Sequence, residues 1–113
     1  MTCVQFKIPR TAAEALPIES ILSGARAAGV PNAHLEYNTV HAGAGSMRIT
    51  CSVEMATYLV TRLTELATSL EGKNQTQLII DCTYGVRAAF DAIDHELYGP
   101  GGGPRSGIRA SLN

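Results

Sequence analysis

Leu78-Ile79-Ile80-Asp81-Cys82-Thr83-Tyr84-Gly85-Val86 sets the strand count of this chain. The polar turn Lys73-Asn74-Gln75-Thr76 precedes it, and a short apolar run bounded in this way reads as a central strand ending near Cys82. Beyond it, Val86, Ala89, Phe90, Ile93 and Leu97 recur at helical spacing as far as Gly99-Pro100. That pattern predicts a C-terminal helix with a Gly-Pro stop.

Upstream lies the strongest periodic segment. Ala56, Leu59, Val60, Leu63, Ala67 and Leu70 form a continuous apolar stripe, with Ser52 placed to cap the helix and Gly72 to end it. Before Ser52, Met47, Ile49, Cys51 and Val53 alternate with Arg48, Thr50 and Ser52. Leu35 and Tyr37 alternate with His34, Glu36 and Asn38. The two stretches predict an antiparallel hairpin turning through Ala42-Gly43-Ala44-Gly45, since glycine tolerates positive φ. Further back, Ile18, Ile21, Leu22 and Ala25 predict a helix opened by Pro17 and closed by Gly29 and Pro31. At the start of the chain, Val4, Phe6 and Ile8 alternate with Gln5 and Lys7, a strand with one wet face that Pro9 ends. The stretch Arg10-Thr11-Ala12-Ala13-Glu14 reads as a loop.

The resulting order, β-α-β-β-α-β with an added C-terminal helix, matches the ferredoxin-like α+β open-faced sandwich: an antiparallel sheet with helices on one face. An HPr-like strand order is the alternative for the same sequence of elements. The phosphocarrier activity of that arrangement needs a histidine at the start of the first helix, where this chain has none, so only topology is shared.

With 113 residues, 45% of them apolar and 17% charged, the chain has the composition of one globular domain, expected over residues 1–99. Residues 100–113 form a Gly/Pro-rich tail with Ile108 and Leu112 as its apolar anchors. The formal net charge of −1 offers no general attraction to phosphates or anionic lipid, so neither nucleic acid nor membrane is expected as a partner. An RNA-binding sheet would also need aromatics on its open face, and the alternation turns Phe6 and Tyr37 the other way. No export signal or long apolar run is visible, and three scattered cysteines without a CxxC pair suit a reducing compartment. A cytoplasmic location is expected.

The candidate binding site is the uncovered sheet face, where Lys7, His34, Glu36, Arg48 and Asp81 gather among Gln5, Asn38, Thr50 and Ile79. Lys7 and Arg48 would hold a small anionic ligand there, and His34 or Glu36 would move a proton. The same alternation is also what a solvated antiparallel sheet face looks like. Cys82 and Arg87 resemble the phosphatase C-x5-R loop only loosely, because they enclose four residues instead of five. Cys82 is therefore expected to be a buried, unreactive thiol. Asp91 and His95 share one helix face at i, i+4, but two ligands do not make a zinc site, and Arg87 is spaced to pair with Asp91. No metal or cofactor is expected.

These readings favour a homo-oligomeric binding or interaction module, dimeric or larger, with residues 101–113 lying against another subunit. The alternative is a small cofactor-free enzyme of the lyase or isomerase type working on the open sheet face. Leu59, Leu63, Phe90 and Ile93 are the expected core of the second and third helices.

Overall fold

The computed structural model describes residues 2–39 and 45–99. The hairpin tip at 42–44 and the tail expected at 100–113 lie outside the described residues. Three strands and four helices follow in the order β1 (Cys3–Pro9), α1 (Arg10–Ala15), α2 (Ile18–Ala27), β2 (Leu35–Thr39), β3 (Ser46–Ser52), α3 (Val53–Ser69) and α4 (Thr76–Tyr98). The strands form one antiparallel sheet in the order β1-β3-β2.

The expected fourth strand is helix. Leu78-Ile79-Ile80 belongs to the first turns of α4, which runs unbroken for 23 residues. A short apolar run does not separate strand from helix by itself, and what decides it is the spacing that follows. Leu78, Cys82, Gly85, Ala89 and Ile93 stand three or four residues apart and form a single inward stripe. The ferredoxin-like order is thereby replaced, among the described residues, by a three-stranded α+β sandwich.

A second correction concerns residues 10–15, expected as a loop and found as α1, with Pro9 at its N-cap and Ala12 and Ala13 buried. Alanine-rich sequence of good helix propensity needs only a short apolar anchorage to fold as one turn and a half. The Arg10 amide donates to the Gly45 carbonyl at 2.9 Å, tying the start of α1 to the entry of β3.

The remaining elements follow the sequence. β1 and β3 pair from Cys3–Ser52 to Pro9–Ser46, and β2 lies on the other side of β3 with Leu35 opposite Cys51. This register puts Val4, Phe6, Ile8, Ile49, Cys51 and Leu35 on one face, all buried. Ser52 caps α3, its Oγ accepting from the Met55 amide at 3.2 Å. Gly72 (φ +78°) and Asn74 (φ 57°) adopt the left-handed backbone that turns the chain back between α3 and α4.

The core fills the space between the inward sheet face and the two long helices. Met55, Leu59 and Leu63 of α3 are fully buried, as are Cys82 and Ala89 of α4. Each large aliphatic side chain withdrawn from water contributes on the order of 1.5–3 kcal/mol. Gly85 is where α4 comes closest: a Cβ there would stand 3.0 Å from Leu63 Cδ1 and 3.3 Å from Ile8 Cγ2. The expected core residues divide accordingly. Leu59 and Leu63 are fully buried and Ile93 packs against the core, but Phe90 is 42% exposed. Its placement in the stripe followed from starting the helix near Val86. The true stripe uses smaller residues because α4 lies so close to β1.

Candidate functional site

The helices leave the other face of the sheet uncovered, and four of the five expected site residues meet there. Lys7 on β1 is directly opposite Arg48 on β3, and Arg48 is opposite Asn38 on β2. One rung along, Thr50 lies between Gln5 and Glu36. His34 precedes β2, where its carbonyl accepts from the Ser52 amide, and its Nε2 stands 3.4 Å from Glu36 Oε2. Both side chains of that pair are substantially exposed. Among the described residues no salt bridge engages Lys7 or Arg48. The face is thus a polar surface with two adjacent cations and a His–Glu pair, and among the described residues nothing encloses it.

Asp81 does not join them. It lies on α4, where Oδ2 accepts from Thr11 Oγ1 at 2.5 Å and Oδ1 from Gln77 Nε2 at 3.0 Å. Its place on the sheet depended on the fourth strand, and the helical course of residues 78–82 removes it. Both carboxylate oxygens are occupied, so Asp81 works as a strut between α1 and α4. An open groove of about 480 Å³ passes over it, lined by Thr11, Glu14, Gln75, Gln77 and Leu78 among others.

The thiols divide by exposure. Cys3 is exposed, whereas Cys51 and Cys82 are buried. Cys82 lies in the second turn of α4, inside the helix instead of at a strand-to-helix junction, so the N-terminus of α4 does not face it. Burial, with the Asp81 charge adding to it, pushes its pKa up. Burial, and then the neighbouring Cys3, pushes Cys51 up to about 12. Both remain thiols at neutral pH, the form that neither attacks electrophiles nor binds metal well. Tyr37 is pushed up to about 12 by burial and then by Cys51, while its hydroxyl donates to the Leu16 carbonyl at 3.0 Å. Among the described residues no three His, Cys, Asp or Glu side chains group as metal ligands. No described helix is long and apolar enough to cross a membrane.

The sequence reading missed the outer side of α4. A helix that starts at Thr76 turns Ile80, Tyr84, Leu97 and Tyr98 away from the core, at exposures of 46%, 67%, 56% and 47%. A depression of about 250 Å³ lies against Ile79, Ile80, Thr83, Tyr84 and Arg87. The signal was present as a second apolar set, Ile80, Tyr84 and Tyr98 offset from the core stripe by about 140–180° with Leu97 at its edge, and is visible only once α4 is taken as one helix. The Arg87–Asp91 spacing does not close into a salt bridge. Asp91, His95 and Glu96 are exposed, and Asp94 is nearly buried at 7%.

Comparison with protein-family models, with curated proteins and with solved structures finds no match.

Proposed function

We propose that this chain is a homo-oligomeric interaction module, and that the outer face of α4 is its working surface. One observation carries the reading: four large apolar side chains of one helix, Ile80, Tyr84, Leu97 and Tyr98, are each about half exposed or more. Large apolar side chains left exposed at both ends of one helix, Ile80 with Tyr84 and Leu97 with Tyr98, support an interaction surface. The sheet face, by contrast, is polar and would lose solvation in a dry interface. Light scattering on the full chain at tens of micromolar is expected to give at least twice the 12.0 kDa chain mass, and a monomer would reject the proposal.

A second reading rests on the sheet register. Lys7 directly opposite Arg48 sets two cations side by side, an arrangement that costs stability unless something negative relieves it. A small anion bridging them would do so, and the cofactor-free enzyme alternative would then draw its proton-moving group from the same face, where Glu36 lies one rung along from Arg48 and His34 two. Inorganic phosphate should then raise the melting temperature of the native chain and leave that of Arg48→Gln unchanged. Equal shifts for both proteins would remove this reading.

A further inference from the structure

We infer that two copies of the chain associate through α4 alone, the two helices running antiparallel about a two-fold axis near Ala89. The inference rests on the interaction-module reading and specifies its partner and register. An antiparallel pair of identical helices places a residue some positions before its centre opposite the residue equally far after the centre on the other copy. Ile80 and Tyr98 lie nine residues on either side of Ala89, and Arg87 and Asp91 lie two on either side. At about 100° per residue all four project from the same outer side of the helix, within about 40° of one another.

The consequence is a self-complementary face. Ile80 meets Tyr98 of the second copy at each end, about 13 Å from the axis, so two apolar contacts flank the centre. At the centre Arg87 meets the second copy's carboxylate at position 91, and the symmetry repeats the contact. Within one chain neither charge has a salt-bridge partner among the described residues, although the i, i+4 spacing would permit one. Both are exposed and available to a second copy. Thr83, Phe90 and Leu97, spaced by seven residues, lie about 60–100° round the helix from that face, at its margin. A parallel pairing would instead set Arg87 against Arg87 and Asp91 against Asp91, which like-charge repulsion opposes.

The test is charge reversal in the full chain, with dimerisation followed by sedimentation equilibrium and folding followed by far-UV circular dichroism. Arg87→Asp and Asp91→Arg each convert both central contacts into repulsions, and each should weaken the dimer by at least about tenfold with the spectrum unchanged. The double variant R87D/D91R restores opposite charges across the axis and should return the affinity to within about threefold of the native chain. A dimer that neither single substitution weakens, or that the double variant fails to recover, would overturn the α4 register while leaving the homo-oligomer reading standing. A native chain that remains monomeric throughout would overturn both, and leave the face to another occupant such as residues 100–113 of the same chain or a different protein.

Discussion

Among the described residues, the sheet face turned from the helices and the outer face of α4 are both open to water, but they are built from different side chains. On the sheet, the residues beside the buried Phe6, Ile49 and Leu35 are Gln5, Lys7, Arg48, Thr50, Glu36 and Asn38, as expected of a strand surface that stays wet. On α4, the side turned from the core carries Ile80, Tyr84, Leu97 and Tyr98 beside the exposed Arg87, Asp91 and His95. A sequence under no constraint beyond solubility would treat both alike. The difference identifies α4 as the element with a demand on both of its sides: a narrow stripe of small residues to approach β1, and large apolar side chains facing out at its two ends, with Arg87 and Asp91 between them.

The largest effect expected from this comparison lies on the inner side. Leu63 is fully buried between α3, α4 and the sheet, so Leu63→Ala should lower unfolding free energy by about 2–5 kcal/mol in urea titration. A loss below about 1 kcal/mol would show that the two long helices do not share a packed core there. Gly85→Val tests the closeness of that packing. Its Cβ would sit 3.0 Å from Leu63 Cδ1 before the branches are added, and the expected loss is about 1–3 kcal/mol from overpacking. A gain would mean that α4 can move away from β1 at no cost.

Raising the pH acts on the inner face of the sheet. Cys51 and Tyr37 hold their protons to about 12 in the folded chain, against ordinary values of 9.0 and 10.0. A group whose folded pKa is raised contributes stability that is fully present below its unfolded pKa and lost as pH climbs toward the folded value. Stability should therefore begin to fall above about pH 9 and steepen above about pH 10, by about 1.4 kcal/mol per pH unit for each group titrating. Cys51→Ser tests the assignment: it should reduce the decline that starts near pH 9, leaving the part that the raised Cys82 thiol contributes, and an unaltered profile would exclude Cys51 as a source. The smallest effect belongs to the outer face of the sheet, where Arg48→Gln removes one of two facing cations and should change stability by no more than about 0.5 kcal/mol.

The sequence made one half of the molecule legible and concealed the other. Strict alternation in Val4-Gln5-Phe6-Lys7-Ile8 and in Met47 to Ser52 predicted both strands and their wet face, because a period of two has one structural meaning. Ser52 as a cap and Gly72 as a stop predicted α3 for equally local reasons. The α4 segment failed on both counts. Leu78-Ile79-Ile80 is apolar all round because it packs inward through Leu78 and displays Ile80 outward, so no single periodicity stands out over those three residues. Cys82, Gly85 and Ala89, the inward stripe, are small, and the larger Phe90 and Leu97 attract a stripe reading that is rotated outward. The sheet-face cluster of Lys7, His34, Glu36 and Arg48 came from the legible half and is assembled in the fold. Asp81 came from the concealed half and is not part of it.

One pair of variants measures the contrast between the two open faces directly. Tyr84→Glu places a carboxylate in the outer face of α4, and Thr50→Glu places one in the open face of the sheet. Light scattering of the full-length variants at equal concentration should show Tyr84→Glu shifted to the 12.0 kDa monomer while Thr50→Glu keeps the assembled mass of the native chain. Assembly lost in Thr50→Glu and retained in Tyr84→Glu would contradict the account and assign the partner surface to the sheet.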